Sequence, residues 1–269
     1  MIGEAYQRMW LQVFAGSWAK YAARHGYDIV PIDRPVDPTP RAAERSPHWQ
    51  KLLILEHPAL AAHDDVVWVD ADILINHHTA PCIAGAAPGP GIGVVSHLHA
   101  MGTGEGLDNR WNRVFWHGDG WFQGERGPSV AERYALAGLP DDAADMTNTG
   151  VLVLKPHHAA FLRQVYDTHG ENPRSANEQM ALSYEIFRQG LAQPIDPRFN
   201  RPWVEDIAQH YPFLFLVENR KDQTLVAHCV NAAYQNAWFL HFLADRFSRN
   251  DVLLVAQDMT ARQLWGPAG

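Results

Sequence analysis

The chain alternates between segments with apolar residues at helical spacing and short, unbroken apolar runs. Helical spacing and its start and stop residues predict helices over residues 4–25, from Ser46-Pro47 to Pro58, after the SVAE sequence at 129–132, and over 177–190. The apolar runs predict strands at YDIVPI (27–32), VVWV (66–69), GIGVVSH (91–97), NTGVLVLKP (148–156), FLFLV (213–217) and TLVAHC (224–229). Strands that alternate with helices predict an α/β fold, with a mostly parallel central sheet and helices on both faces. The sequence shows no internal repeat or clear linker, so we expect one domain over residues 1–269.

Two aspartates follow the second of these strands, in VVWVDADILIN at residues 66–76. The apolar run predicts a strand buried on both faces, and Asp70 and Asp72 stand at its carboxyl end, where open α/β sheets place their ligands. Residues i and i+2 of a strand point to the same face, so both carboxylates are expected to address one ligand. Like charges this close repel each other unless a cation lies between them. We therefore predict a divalent metal site; the alternative is an exposed turn with two hydrated aspartates.

Composition narrows the class of protein. The 269 residues carry a formal net charge of −8 and no cluster of Lys and Arg, which argues against a nucleic-acid surface. No apolar run predicts a transmembrane segment, and the first residues lack the features of a signal peptide. Cys82 and Cys229 form neither a disulfide framework nor a zinc-binding spacing. We therefore expect a cytoplasmic protein. An acidic protein that binds an anionic ligand needs a local cation, which a metal supplies.

A glycine-rich stretch from residue 98 to 128 has no periodic apolar pattern. Trp111, Trp116 and Trp121 recur every five residues, a spacing that fits neither one face of a helix nor one face of a strand. A loop of this length inside a compact domain is often functional. The three indole rings are candidates for stacking on a ring of the ligand, and the alternative is a small satellite core beneath the loop.

Several segments, taken in order, resemble glycosyltransferases of the GT-A fold, in particular the retaining families that transfer galactose, xylose or mannose. The resemblance rests on WQKLLIL, VVWVDADILIN, NTGVLVLKP, NEQMAL, PIDPRFN and VAHCVN. It implies a single GT-A type, Rossmann-like domain that transfers a sugar from a nucleoside-diphosphate sugar. It further implies a UDP-linked donor, retention at the anomeric carbon, and a glycan or glycosylated small molecule as acceptor. Trp111, Trp116 and Trp121 would then stack on the acceptor sugar or close over the donor.

The resemblance also implies a metal site and its ligands. Asp70, Asp72 and the later His228 would bind the ion, and a mixed set of oxygen and nitrogen ligands favours Mn²⁺ over Mg²⁺. An ion that bridges two phosphates stabilises the diphosphate leaving group.

The resemblance also implies roles for residues that would contact the nucleotide-sugar donor. Lys51 would reach the diphosphate or the donor sugar, although a surface lysine is the alternative. Asn148 and Gln179 would hydrogen-bond the sugar, and in the resembling families a Gln faces the anomeric carbon, which indicates front-face retention. Glu178 and Asp145 are the nearby carboxylates that an acid, base or nucleophile would need.

Two features leave other interpretations open. In the GT-A fold a strand that holds the nucleotide base precedes the first helix, whereas MIGEAYQ resembles only the tail of such a strand. The base identity therefore stays open. The Asp pair would also serve a metal-dependent phosphohydrolase or nucleotidyltransferase, although Ile-Leu-Ile after Asp72 fits haloacid-dehalogenase-type phosphatases poorly. A non-catalytic nucleotide-sugar binder on the same scaffold is the remaining alternative.

Overall fold

The computed structural model describes residues 3–101, 128–172, 177–243 and 249–258, which form two small sheets surrounded by helices. The strands are β1 (Val66–Val69), β2 (Ile73–Ile75), β3 (Ile92–Val94), β4 (Val151–Leu154), β5 (Ala192–Pro194), β6 (Arg201–Pro202) and β7 (Phe239–His241). The α-helices are α1 (Glu4–Met9), α2 (Ala15–His25), α3 (Pro40–Ala43), α4 (His97–Met101), α5 (Val130–Leu136), α6 (Ala159–Thr168), α7 (Gln179–Arg188), α8 (Trp203–His210), α9 (Val217–Lys221) and α10 (Gln223–Asn236). A π-helical turn, Trp10–Phe14, joins α1 to α2. Short 3₁₀ helices are Pro47–Glu56, Pro58–Leu60, Ala84–Ala86, Pro156–His158, Pro197–Phe199, Pro212–Phe215 and Asp251–Leu254.

Both sheets mix strand directions. The larger sheet has the order β1-β4-β3-β5, in which β4 is antiparallel to both of its neighbours and β3 is parallel to β5. The smaller sheet has the order β2-β7-β6, with one antiparallel and one parallel pairing. The predicted mostly parallel sheet is therefore wrong for the described residues. The predicted strand at 27–32 joins neither sheet; Pro31 lacks an N–H, and the segment lies across a groove from β1.

The core lies on both faces of the larger sheet, because alternate residues of the fully buried β4 point in opposite directions. Leu152 and Leu154 pack in the cluster formed by the 3₁₀ helix Pro47–Glu56, α6 and α7. Val151 and Val153 pack on the other side with Tyr21 of α2 and with β7. The prediction of helices on both faces is thus confirmed. None of the described helices combines the length and the apolar character that a bilayer span requires.

Local sequence signals set several helix ends. Gly26 (φ 73°) and Gly190 (φ 64°) end α2 and α7 in the left-handed conformation, as predicted. Ser129 and Glu132 form the predicted capping box of α5. The helix after Ser46 is 3₁₀, and the Ser46 side chain does not cap it.

Two predicted strands are helices instead. Residues 213–217 fall in the 3₁₀ helix Pro212–Phe215 and the start of α9, and residues 224–229 lie within α10. The burial of Val226, Val230 and Ala233 shows why, since these apolar residues recur at helical spacing. The Asp222 carboxylate caps α10 by accepting the backbone N–H groups of Thr224 and Leu225.

Candidate functional site

Two aspartates and one histidine lie together where the two sheets meet. Asp70 follows β1, and its backbone N–H donates to Gly150 O just before β4 (2.8 Å). Asp72 precedes β2, and the β2–β7 pairing places Ile73 opposite His241. One ligand atom from each of Asp70, Asp72 and His241 lies within 4.8 Å of the other two, and no other such group of acids, histidines and cysteines occurs among the described residues.

The two aspartates lie in a turn and not on one extended strand. Ile73 N donates to Asp70 O at 3.2 Å, so the chain passes from the first sheet to the second between the two acids. The predicted placement of both residues on one strand is wrong. The turn nevertheless brings the carboxylates of Asp70 and Asp72 to the same place.

The hydrogen bonds around His241 show that its Nδ1 carries a hydrogen. His241 is buried; its Nε2 lies 3.1 Å from Asp72 Oδ1, and its Nδ1 lies 2.9 Å from Asn200 Oδ1. Asn200 Nδ2 donates to both Asn148 O and Asn148 Oδ1 at 3.0 Å. Exchanging the oxygen and nitrogen of the Asn200 side chain would place its oxygen against these two oxygens, so the assignment of Oδ1 and Nδ2 is fixed. Since an amide oxygen only accepts, Nδ1 carries a hydrogen and Nε2 points towards the acids, the arrangement found in metal-binding histidines.

The charge of the acids also acts on the imidazole. Burial would lower the pKa of His241, but the charge of Asp72, its hydrogen bond to the ring and the charge of Asp70 together raise the pKa above its ordinary value. A metal ion that takes Nε2 must therefore displace a proton that Asp72 stabilises.

A chain of amides leads from the histidine to α7. Asn148 Oδ1 accepts from Gly150 N (2.9 Å) and from Asn200 Nδ2, while Asn148 Nδ2 donates to Gln179 Oε1 at 3.0 Å. Gln179 is the first residue of α7. The orientation of Gln179 is thus coupled through two asparagines to the orientation of His241.

Gly150 makes room for this arrangement. A Cβ at position 150 would lie 2.4 Å from His241 Cε1 and 2.8 Å from Asn148 Oδ1. No ordinary side chain fits at that distance, so glycine is required for the imidazole to pack against the start of β4.

Lys51 holds two carboxylates in the interior. The residue is 3% exposed, and its Nζ lies 2.7 Å from Glu178 Oε1, 3.1 Å from Asp70 Oδ1 and 3.2 Å from Thr149 O. Burial would lower the pKa of Lys51, but the charges of Asp70 and Glu178 raise it overall. All three N–H groups have oxygen partners. The surface alternative is therefore wrong, and the contact of Lys51 with the donor stays a prediction.

The two predicted catalytic carboxylates are already engaged by the protein. Glu178 is 2% exposed and also accepts the Thr149 hydroxyl (2.9 Å). Asp145 Oδ1 accepts the backbone N–H groups of Leu98 (3.0 Å) and Met146 (2.7 Å), and its Oδ2 accepts the Ser96 hydroxyl. Glu178 therefore balances Lys51, and Asp145 holds the end of β3 in place.

Comparison with known proteins gives a structural match. No protein-family model matches the sequence, and no curated protein matches it. The structure is similar to a glycosyltransferase involved in the glycosylation of the major capsid of PBCV-1, with a TM-score of 0.51 and 14% identity over 91% of this chain and 92% of that chain. The chain has a glycosyltransferase fold.

Two further structures are more distant. The galactosyltransferase LgtC, in complex with donor and acceptor sugar analogues, gives a TM-score of 0.37 and 13% identity over 81% of this chain and 68% of that chain. Mouse xyloside xylosyltransferase 1 in its apo form gives a TM-score of 0.33 and 13% identity over 73% and 62%.

Within this glycosyltransferase fold, the histidine beside the aspartates is His241 and not His228. His228 is exposed on α10 and lies outside the group of potential metal ligands, so its predicted place on a late strand is wrong. The signal for His241 is present in the sequence as an apolar run, Trp238-Phe-Leu-His241, that ends in a histidine. Trp111, Trp116 and Trp121 lie outside the described residues, and their role at an acceptor stays a prediction.

One further acid lies near this site and was not singled out from the sequence. Glu205 is in the first turn of α8, directly after β6, whose Pro202 pairs with His241. Burial raises the pKa of Glu205 to about 7, although the positive charges of Arg133 and His241 oppose that shift.

Proposed function

We propose that this protein is a metal-dependent glycosyltransferase. It transfers a sugar from a nucleoside-diphosphate sugar, with uridine as the expected base, to a glycan or a glycosylated small molecule. The observation that carries the proposal is the convergence of Asp70, Asp72 and His241 within 4.8 Å on a glycosyltransferase fold.

The donor set fits a divalent cation. Two carboxylates and an imidazole form a mixed set of oxygen and nitrogen ligands, which suits Mn²⁺ better than Mg²⁺. Mg²⁺ prefers a shell made of oxygen ligands only. Nε2 of His241 is turned towards the acids by the Nδ1–H bond to Asn200, which supports the histidine as a ligand. When bound, such an ion would neutralise charge that develops on a departing diphosphate.

The surrounding residues position this set. Lys51 helps to keep Asp70 ionised. Burial would raise the pKa of Asp70, but the positive charges of Lys51 and His241 and the hydrogen bond from Trp68 Nε1–H (2.6 Å) together lower it. Lys51 also joins Asp70 to Glu178, the residue before α7. The metal ligands and the start of α7 are therefore held as one unit.

The amides supply the donor-sugar contacts in this proposal. Gln179 Oε1 is taken by Asn148, and Gln179 Nε2 has no hydrogen-bond partner within the described parts of the chain. This N–H group is free to donate to an oxygen of the donor sugar. Asn148 Oδ1 is occupied and one Nδ2–H orients Gln179, which leaves the second Nδ2–H of Asn148 as a donor to the sugar.

Retention at the anomeric carbon is the expected stereochemistry. Glu178 and Asp145 are occupied by protein donors, so neither is poised as a nucleophile or as a base. In front-face transfer the acceptor hydroxyl attacks from the side on which the diphosphate leaves and passes its proton to that leaving group. Such a reaction needs a donor sugar held in a fixed orientation, and the Gln179 amide provides that contact. It does not require a free carboxylate on the opposite face of the sugar.

Incubation with UDP-galactose, UDP-glucose, UDP-xylose and GDP-mannose, in Mn²⁺ or in EDTA, tests the function. We expect nucleoside diphosphate to be released from one donor in Mn²⁺ only, and the release to be lost in Asp72→Asn. Release of UMP or GMP would indicate a nucleotidyltransferase or phosphohydrolase. Tight binding of a donor with no product from any of them would indicate a binder, and in either case the proposal is wrong.

A further inference from the structure

Glu205 is an acid without a bonding partner beside the proposed metal site. It is the third residue of α8, and this helix begins directly after Pro202, which pairs with His241 of β7. Within the described parts of the chain, the Glu205 carboxylate forms no hydrogen bond and no ion pair. The next residue, Asp206, is different, because its Oδ1 accepts from Arg201 Nε at 2.7 Å.

The position of Glu205 in the helix does not account for this acid. A glutamate at the third position often accepts the backbone N–H of the N-cap residue, as Glu132 accepts that of Ser129 at 2.7 Å in α5. The N-cap of α8 is Pro202, which has no N–H to donate. The helix dipole favours a negative charge here, but burial opposes it and raises the pKa of Glu205 to about 7. The fold therefore holds a crowded carboxylate without bonding it.

Solvent nevertheless reaches the Glu205 carboxylate. The residue is partly exposed. Side-chain oxygens that are both buried and unbonded do occur in the described chain, Asp206 Oδ2 among them, but the two oxygens of Glu205 do not belong to that group. Glu205 therefore lies in a recess of the surface, where its oxygens are open to a ligand.

A second polar side chain without a partner lies near the same recess. The positive charges of Arg133, on α5, and of His241 both act on Glu205. The charge of Arg133 also acts on His97, at the start of α4, where burial and this charge together lower the pKa of the imidazole to about 3. His97 is partly exposed and neutral, and its ring forms no hydrogen bond within the described residues. Arg133 itself is held by the protein, since its Nε donates to Pro128 O at 3.3 Å.

The chemistry of these groups selects the kind of ligand. A carboxylate only accepts hydrogen bonds, whereas a neutral imidazole offers one donor and one acceptor, and sugar hydroxyls are complementary to both. A diphosphate or another anion would be repelled by Glu205, and an ammonium group would be repelled by Arg133. The recess therefore suits an uncharged sugar better than an acidic or an amino sugar.

We propose that Glu205 binds hydroxyl groups of the acceptor and restricts this protein to uncharged acceptor sugars. This inference rests on the proposed function, in which Asn148 and Gln179 contact the donor sugar. Two neighbouring hydroxyls of the acceptor donate to the two oxygens of Glu205, and a further hydroxyl bonds to His97. A uronic acid is rejected because its carboxylate would meet Glu205, and rejection by like charge is an effective source of specificity. Glu205 takes no part in bond breaking.

Sugar transfer to methyl glycosides tests this proposal. The acceptors are the methyl glycosides of glucose, galactose and mannose, each paired with the uronide of the same configuration, and the donor is the nucleotide sugar that the parent uses in Mn²⁺. The assays are run at about pH 8, above the pKa of Glu205, so that its carboxylate is mostly ionised. In Glu205→Gln we expect the KM of the best uncharged acceptor to rise about tenfold or more, the usual effect of losing a hydrogen bond to a charged group. The donor KM should stay close to that of the parent.

The preference for an uncharged acceptor gives a second readout, which a purely structural role for Glu205 would not change. In Glu205→Gln the ratio of kcat/KM for the glycoside to that for its uronide should fall by about tenfold or more, because the repelling charge is gone. Glu205→Asp keeps the charge on a shorter side chain, so it should keep the preference although its acceptor KM rises. Glu218→Gln, at an exposed acid in the first turn of α9, is the control and should match the parent in every assay.

The results that would overturn the proposal are equally specific. An unchanged acceptor KM and an unchanged preference in Glu205→Gln would do so, as would a rise confined to the donor KM. A parent that hydrolyses its donor in Mn²⁺ but transfers sugar to none of the three glycosides would also overturn it, because the acceptor would then not be an uncharged sugar. Failure of the proposed function is distinct, since the parent itself would release no nucleoside diphosphate from any donor, and both proposals would then be wrong.

Discussion

Lys51 Nζ lies 2.7 Å from Glu178 Oε1, and both side chains are almost wholly removed from solvent. The same ammonium lies 3.1 Å from Asp70 Oδ1. One buried cation therefore serves two carboxylates, one beside the proposed metal site and one at the start of α7. Removing the cation would leave the Glu178 charge unpaired in the interior and the Asp70 charge unpaired in a partly buried position. This is far more costly than the pair itself is stabilising.

We expect Lys51→Met to lower the free energy of unfolding by about 3–5 kcal/mol, the usual cost of breaking a buried pair from one side. Glu178→Gln in the same chain should restore part of this loss, because the substitution removes one of the two unpaired charges. Urea unfolding of the two single variants and the double variant measures the coupling. Lys155→Met is the matched control; its pair with Asp65 is more exposed and should cost no more than about 1 kcal/mol. Additive effects of the Lys51 and Glu178 substitutions would show that the two side chains do not interact as described.

Gly150→Ala should weaken Mn²⁺ binding, because the new Cβ would lie 2.4 Å from His241 Cε1 and displace the imidazole. Isothermal titration with Mn²⁺ measures the effect, which we expect to be about tenfold or more by analogy with other changes that reorient a ligand. Gly85→Ala is the control, since nothing lies within 4 Å of a Cβ at that position. Unchanged Mn²⁺ affinity in Gly150→Ala would mean that His241 is not a ligand in the orientation described.

Asn200→Ala should act through the histidine without removing any proposed ligand. The Nδ1–H group of His241 loses its acceptor, so the ring is free to rotate or to move its proton to Nε2. We expect Mn²⁺ affinity to fall by about 10–100-fold, the range for lost partners of metal-binding histidines. Nitrogen chemical shifts of labelled histidine, read in parallel, should show the altered tautomer. Asn236→Ala, which removes only a bond to Ala232 O on the surface of α10, should change neither measurement.

Glu205 should make stability depend on pH. Its pKa is raised from 4.5 to about 7 by burial, so the folded protein binds more protons than the unfolded chain between these values. The free energy of unfolding therefore falls as the pH rises through this window. Glu205→Gln removes the titrating group and should flatten this fall, whereas Glu218→Gln, at an exposed position on α9, should not. Parallel pH profiles for the parent and Glu205→Gln would contradict the raised pKa.

Local patterns predicted much of the fold and the position of the acid pair. The helix ends at Gly26 and Gly190 and the capping box at Ser129 depend on neighbouring residues only, so the sequence identifies them directly. Asp70 and Asp72 were found for the same reason, although they lie in a turn between two sheets.

The rest of the site depends on contacts between distant segments. His241 comes beside Asp72 only because β2 pairs with β7, and nothing in either segment alone specifies that pairing. Lys51 and Glu178 are far apart in the sequence, so the buried ion pair could not be read from composition or spacing. His228 was predicted because VAHCVN resembles the late metal-binding histidine segment of the GT-A families and was taken as part of a strand. A longer window shows the helical spacing of α10.

The direction of the strands was mispredicted for a related reason. Alternating strands and helices favour parallel pairing, but β1 is antiparallel to β4, and residues 27–32 belong to neither of the described sheets. A run of β-branched residues predicts an extended backbone; its pairing partner is decided by the rest of the fold.

The most direct test of the proposed site compares two histidines by titrating Mn²⁺, in the presence of UDP, into the parent, His241→Ala and His228→Ala. We expect His241→Ala to lose about tenfold or more in Mn²⁺ affinity, because one of three proposed ligands is removed. His228→Ala should bind Mn²⁺ as the parent does, since His228 is exposed on α10 and lies outside the group of ligands. Parent-like affinity in His241→Ala, or a loss confined to His228→Ala, would contradict the metal site formed by Asp70, Asp72 and His241.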